Sequence, residues 1–196
     1  MSKIFLETIK ILDAKVFHID YHQKRYESVL KTLGISRFEK LENHINPPKY
    51  GLYRCRLLYT QDSIKVEYIE YVKRDIKKLK LIHNNEINYS QKSTCREELD
   101  KLFKLREEAD DIIIVKNSLI TDTSIANIAL FDGKFWYTPK SPLLHGTTKQ
   151  RLLDEGKLIQ VDINEKDIFS YKKIALLNAM IDFDIIAAED LKDVIC

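Results

Sequence analysis

Leu119-Ile120-Thr121-Asp122-Thr123-Ser124-Ile125-Ala126-Asn127-Ile128 sets an acid and several hydroxyls between strongly apolar flanks. An acidic residue among hydroxyls where apolar strands end marks either the rim of a site or an ordinary turn in which Asp122 caps the backbone. Upstream, residues 112–115 are a continuous apolar run of strand length, closed by a turn at Asn117-Ser118. Downstream, residues 125–131 and 134–137 flank Asp132-Gly133, a strong hairpin signal. This part of the chain therefore reads as sheet with a polar stretch set into it.

Moving outward, residues 139–146 form a loop that leads into a helix near Thr147. A strand is expected at 158–163, a short helix at 165–171, an apolar strand at 174–177 ending at Asn178, and a last strand at 185–188. Before the opening stretch, residues 97–109 read as a helix that buries Leu99, Leu102, Phe103 and Leu105, and residues 84–91 as a polar loop. Residues 79–83 suit a first strand for this half, and the basic run 73–80 suits a junction, giving subdomains at 1–75 and 76–196.

In the first half, residues 3–12 and 15–18 read as strands joined by a tight turn at Asp13-Ala14. Asp20 is placed to cap a helix running to Leu33, where Gly34 stops it, with Tyr21, Arg25, Ser28 and Val29 near one face. Ser36 and Glu39 make a capping box for a second helix ending near Pro47. Residues 52–59 and 64–71 read as a hairpin around Gln61-Asp62. The fold class is α+β, with helices at sheet faces in both halves.

Composition narrows the function. The 196 residues carry 32 Lys and Arg against 30 Asp and Glu, a formal charge of +2, which gives no polybasic surface for nucleic acid. No apolar run approaches the ~20 residues of a membrane helix, and the N-terminus lacks the apolar core of a signal peptide. Cys55, Cys95 and Cys196 are widely spaced with no CxxC, which argues against a zinc site or a disulfide framework and fits a reducing cytoplasm. His18 and His22 lie four apart with no third ligand apparent, so they read as structural or surface histidines and no metal is expected. There is no GxGxxG, Walker loop, HExxH or GxSxG.

Single features are weak. His145-Gly146-Thr147-Thr148-Lys149 offers exposed amides, hydroxyls and a helix dipole to a phosphate, or simply an N-cap. Lys92, before a helix, is one lysine among many. The order of the parts is more specific: a lysine, then an acid with an Asn, then Gly-Thr-Thr before a helix. In that order the chain resembles the fold-type IV pyridoxal-phosphate enzymes, the class IV aminotransferase family, which comprises branched-chain aminotransferases, D-amino-acid aminotransferases and aminodeoxychorismate lyases. Phe5-Leu6-Glu7-Thr8 resembles the family's Phe-Glu-Thr strand, and His22-Gln23-Lys24-Arg25 its His-x-x-Arg helix motif. Lys92 with Arg96 resembles its helix-opening lysine, 122–127 its Glu-x-x-x-x-Asn segment, and Tyr137-Thr138-Pro139 with Gly146-Thr147-Thr148 its Thr-Pro and Gly-(Ile/Val)-Thr elements.

The resemblance implies two small α/β subdomains of the D-amino-acid aminotransferase-like fold, a pyridoxal 5'-phosphate cofactor and a cytoplasmic homodimer acting on a small amino substrate. It implies that Lys92 carries the cofactor as a Schiff base and moves the proton. Asp122 would face the pyridine nitrogen and keep it protonated. Arg25 would pair with the cofactor phosphate, Thr147 and Thr148 would hold the same phosphate, and Asn127 would shape the pocket. Leu177-Asn178-Ala179-Met180 and Lys92-Ser93-Thr94-Cys95-Arg96 resemble stretches of the lyase branch. The implied reaction is conversion of 4-amino-4-deoxychorismate to 4-aminobenzoate and pyruvate, a step of folate biosynthesis. Arg96 and Asn178 are candidates for substrate contact, and Arg54 and Arg56, alternating on a strand, are either further anion contacts or solvated charges. Transamination of a branched-chain or D-amino acid is the alternative. A degenerate, non-catalytic relative is a third reading, because Asp122 stands where the family has Glu and the chain starts close to the Phe-Glu-Thr strand.

Overall fold

The computed structural model describes residues 3–196. The chain divides into two compact units, one made of 1–73 with 91–95 and one of 74–90 with 96–196.

In the first unit a four-stranded antiparallel sheet runs in the order β2-β1-β3-β4, from β1 (Phe5–Leu12), β2 (Lys15–Val16), β3 (Leu52–Tyr59) and β4 (Ile64–Glu70). Strict alternation of burial along β1 sends Phe5, Glu7, Ile9 and Ile11 to one face. That face is covered by α1 (Ile19–Thr32), whose Tyr26, Val29 and Leu30 pack with Phe5, Leu57 and Tyr59. Asp13 and Ala14 both take positive φ, 48° and 64°, which matches the twist of the tight hairpin they close.

Three expectations for this unit are corrected. Asp20 lies inside the first turn of α1; the N-cap is His18, in the left-handed region and without a side-chain cap. Asp20 therefore acts on the helix dipole and not as a cap. The buried face of α1 is His22, Tyr26, Val29 and Leu30, not the one through Tyr21 and Ser28. No second α-helix follows Ser36: residues 36–40 are irregular and only Leu41–His44 coils, as one 3-10 turn. Tertiary contacts override the local capping signal there. Gln23 donates to the Glu39 carbonyl and accepts from the Leu41 amide, and Ile35, Phe38 and Leu41 are drawn onto α1.

The second unit is built on an eight-stranded sheet with the main order β10-β9-β8-β7-β6-β5. Its strands are β5 (Leu79–His83), β6 (Asp111–Lys116), β7 (Leu119–Thr123), β8 (Asn127–Phe131), β9 (Trp136–Pro139), β10 (Ile159–Val161), β11 (Lys173–Asn178) and β12 (Asp182–Ile185). β5 and β6 are parallel, joined through α2 (Glu97–Lys104); β11 lies antiparallel to both β8 and β12. β6 is buried on both faces, as its unbroken apolar run requires. Ile112 and Ile114 pack on Leu99 and Leu102 of α2, while Ile113 and Val115 join Ile120, Ile128, Leu130, Ile174 and Leu176. Ala129, Ala175 and Leu177 meet Leu152 of α3 (Thr147–Asp154).

Here too the structure corrects the reading. The polar stretch is itself strand as far as Thr123, and the turn is confined to 124–126. α2 stops at Lys104, leaving Leu105 exposed. The last strand is β12, three residues earlier than expected, because Asp182, at φ 58°, turns the chain directly back from Asn178. Among the described residues no helix is long and apolar enough to cross a membrane.

Candidate active site

In the first unit the alternation of β1 drives one charged residue, Glu7, into the helix-covered face, where it is fully buried. Charged groups are buried only with partners, and α1 supplies two, three residues apart on one side. His22 Nδ1 lies 2.6 Å from Glu7 Oε2, while Arg25 donates from Nε at 2.8 Å and from Nη2 at 2.5 Å. Burial pushes the Glu7 carboxyl up, but Arg25 and His22 outweigh it and bring it down to about 2. Glu7 is thus ionised, and His22 donates from Nδ1. Burial holds His22 below its ordinary value despite Glu7, so it stays neutral near pH 7. The guanidinium of Arg25 is fixed by a bidentate grip, the geometry that makes an arginine a rigid anion receptor.

Lys92 belongs to the same unit. The Leu6 amide donates to the Lys92 carbonyl at 2.9 Å, the Thr94 amide donates to Ile4, and Phe5 bridges Ser93. The lysine backbone is therefore held against the edge of β1, one residue from Glu7, with Lys92 half-buried.

In the second unit β7 and β8 carry Asp122 and Asn127 to opposite sides of their turn, where they are paired in register. Asn127 Nδ2 donates to Asp122 Oδ1 at 2.7 Å and to the Leu144 carbonyl at 2.8 Å; the Leu144 amide donates to Asp122 Oδ2 at 2.8 Å. Asp122 is 4% exposed. Burial raises its carboxyl to about 6, against the pull of the Leu144 amide, Asn127 and Lys149. The chain then passes Gly146, where a Cβ would lie 1.9 Å from Asn127 Oδ1, so only glycine lets the loop come this close. α3 starts next, with Gly146 as N-cap and no side-chain cap; Thr147 and Thr148 are buried at that end.

The turn between Asp122 and Asn127 is clamped. Asp111 Oδ1 accepts from the Ser124 amide at 3.3 Å, Arg96 Nη2 donates to the Ser124 carbonyl at 2.9 Å, and Asn178 Nδ2 donates to the Ile125 carbonyl at 3.4 Å. Arg96 and Asn178 thus converge on one peptide stretch.

These residues fit the cofactor that the resemblance implies. The Asp122 carboxylate accepts from Asn127 and the Leu144 amide, with the Leu143 amide also pulling on it, and of its about four acceptor sites one is left for a ring N–H. The uncapped start of α3, with two buried hydroxyls, suits a phosphate. The gripped Arg25 suits one as well. Sequence reasoning missed Glu7, His22 and Lys149 as members of these clusters. For Glu7 the signal was present: an acid on the apolar side of an alternating strand, with a His-x-x-Arg pair on the following helix.

The model of the family "Amino-transferase class IV" matches residues 5–187. An uncharacterised protein of Haemophilus influenzae is 35% identical over 180 residues, spanning 89% of this chain and 96% of that one. A crystal structure from Haemophilus somnus 129pt, provisionally named a 4-amino-4-deoxychorismate lyase, is 33% identical with a TM-score of 0.85, covering 92% of this chain and 97% of that one. A pyridoxal-phosphate-bound hypothetical aminotransferase from Mycobacterium tuberculosis shares the fold at 15% identity and a TM-score of 0.81, covering 94% and 80%. With a family match over nearly its whole length, the chain belongs to the class IV aminotransferase family.

Proposed function

We propose that the chain binds pyridoxal 5'-phosphate through Lys92 and converts 4-amino-4-deoxychorismate to 4-aminobenzoate and pyruvate. The observation that carries this reading is the buried Asp122 carboxylate, gripped by Asn127 and the amides of Leu143 and Leu144 with one acceptor site to spare. When bound, the cofactor supplies an electron sink for the charge left behind when a proton departs the amine-bearing carbon. Asp122 keeps the proton on the ring nitrogen, and Asn127 holds Asp122 to that task. Lys92 would hold the cofactor through its amine and would take the proton from the substrate carbon, and for both tasks it must be neutral. Glu7 grips Arg25 through Nε and Nη2 and so fixes the guanidinium that would face the phosphate. Thr147 and Thr148 donate to the phosphate from the start of α3.

Two observations favour the lyase over a transaminase: the 33% identity to the Haemophilus somnus protein and the basic outer face of β3. Arg54 and Arg56 alternate there; Arg56 is paired with Glu67 at 3.2 Å, while Arg54 Nε is buried with no hydrogen-bond partner among the described residues. The proposed substrate carries two carboxylates, one of which Arg54 suits. Arg96, which also reaches Tyr89 and Asp100 at 3.5 Å each, and Asn178 are the other substrate contacts we infer. The family resemblance and the unpaired cysteines support a cytoplasmic homodimer, which light scattering on the purified protein checks.

The decisive experiment is the visible spectrum of wild type and Lys92→Ala after loading with pyridoxal phosphate and gel filtration. Wild type is expected to retain a visible band that Lys92→Ala lacks; a wild type without the band contradicts the cofactor assignment. With the cofactor established, the lyase releases pyruvate with no keto acid present. A strict requirement for a keto-acid acceptor identifies a transaminase, and binding without turnover identifies a non-catalytic relative.

A further inference from the structure

Asp122 and Lys149 are both buried, at 4% and 2% exposure, yet each is bonded by neutral groups. The carboxylate accepts from Asn127 Nδ2 and the Leu144 amide, and the Lys149 ammonium donates to the Pro139 carbonyl. A buried charge with only neutral partners is costly unless an opposite charge lies close by. The strand register brings the two charges into one neighbourhood. β8 pairs β9 with Leu130 opposite Tyr137 and Phe131 opposite Trp136. Extended two residues, that register sets Pro139 opposite Ile128, and Thr138 Oγ1 does donate to the Ile128 carbonyl at 2.7 Å. Ile128 follows Asn127, the residue that grips Asp122. From the other side, Asn127 is tied to Leu144 and closely approached by Gly146, and Lys149 lies in the first turn of the helix that follows. The ammonium is thus anchored beside the support of the carboxylate.

We propose that Lys149 is a positioning residue for Asp122: its ammonium, pinned to the Pro139 carbonyl, is the counter-charge that keeps Asp122 a carboxylate. The use of that carboxylate at a cofactor ring nitrogen rests on the reading above; the pairing itself does not. The electrostatics agree from both ends. Lys149 pulls the Asp122 carboxyl down against burial, and Asp122 holds the Lys149 amine up against burial, at about 6 and about 8. Both groups are therefore charged only in the window between those values. The other titratable group in this cluster is His145, kept below its ordinary value by burial and by Lys149, so it adds no competing charge above pH 7.

The test uses the full-length protein without cofactor, labelled at aspartate carboxyl carbons, with the Asp122 signal assigned by its loss in Asp122→Asn. Lys149→Met is expected to raise the Asp122 midpoint by about one pH unit or more, a tenfold gain in proton affinity, while Lys149→Arg holds it near the wild-type value. A folded Lys149→Met with an unchanged midpoint overturns the proposal. Should Lys149→Met fail to fold, the reciprocal measurement decides, because coupling must act equally in both directions. The Lys149 Cε signal is followed in wild type and Asp122→Asn, where the lysine midpoint is expected to fall; no shift overturns the proposal. Neither experiment contains cofactor. A missing visible band with coupled titrations removes the cofactor reading alone, and a retained band with uncoupled titrations removes the Lys149 pairing alone.

Discussion

Glu7 is a fully buried acid that owes its charge to two neighbours, and its stability contribution has a definite pH signature. Its carboxyl falls from 4.5 to about 2 on folding. For a depressed acid the stabilisation is fully present above the unfolded value and is lost as pH falls through the folded one. The window is therefore from about 4.5 down to about 2, and the shift corresponds to about 3 kcal/mol. Glu7→Gln keeps the shape but removes the charge that Arg25 and His22 bind. Urea denaturation is expected to show the variant less stable than wild type by about 3 kcal/mol at pH 7, with the gap narrowing towards pH 3. A gap that stays constant with pH would mean that Glu7 acts through packing alone. Loosening Arg25 in this variant is also expected to weaken retention of pyridoxal phosphate more than that of pyridoxal, which has no phosphate for the guanidinium to hold.

Among the elements, the loop from β9 to α3 carries the closest backbone approach of the site. A Cβ at Gly146 would overlap Asn127 Oδ1, and Asn127 is the side chain that orients Asp122. Gly146→Ala is expected to cost about 1–3 kcal/mol by overpacking, read as a lowered melting temperature, and to loosen Asp122. An unchanged melting temperature would show that Asn127 has room to swing away. The Gly-Thr-Thr signature was legible in sequence, but the reason for its glycine was not, since it depends on a side chain 19 positions earlier. The same distinction runs through the fold. Elements whose signal is local came through: the Asp13-Ala14 hairpin turn, β3 and β4 around Gln61-Asp62, and β5 at Leu79–His83. Where contacts made elsewhere decide, local signals misled. The Ser36 and Glu39 capping box lost to Gln23 and the apolar surface of α1. The strand β7 was hidden by its own polar residues, which sheet neighbours satisfy: Thr121 donates to the Ile114 carbonyl and Asp122 is held by Asn127. Asp122 and Asn127 were legible together only as the family's segment of an acid and an Asn; that they bond each other across the turn is seen in the structure alone. Lys149 was not legible, and Glu7 and His22 left only an acid on an alternating strand and a His-x-x-Arg pair, because a buried charge is assigned a role only beside its partners, and those of Glu7 lie 15 and 18 residues away.

For the whole molecule, the two units hold buried titratable groups that answer acid in opposite senses. In the first unit His22 is kept below 6.5 by burial, so folding disfavours its protonated form. As pH falls below 6.5 the unfolded state takes up the proton first, and the first unit loses stability. In the second unit Asp122 is raised from 3.8 to about 6, so the folded state takes up the proton first. Stability there rises as pH falls through 6 towards 3.8, because the cost of a buried carboxylate is relieved. Glu7 stays ionised until below 4.5 and leaves the comparison between pH 7 and 5 undisturbed. Amide hydrogen exchange, corrected for its intrinsic pH dependence, is the measurement that resolves the two. From pH 7 to pH 5, protection along β1 and α1 is expected to fall while that along β7 and β8 holds or rises. His22→Gln is expected to abolish the fall in the first unit, since it removes the proton acceptor and keeps a side-chain amide to donate to Glu7. Asp122→Asn is expected to remove the gain in the second unit, leaving there the loss that His145, also held below its ordinary value, brings as pH falls, and to leave the first as it was. A uniform change in protection across both units would mean that they open only together, and that neither buried group sets the response of its own unit.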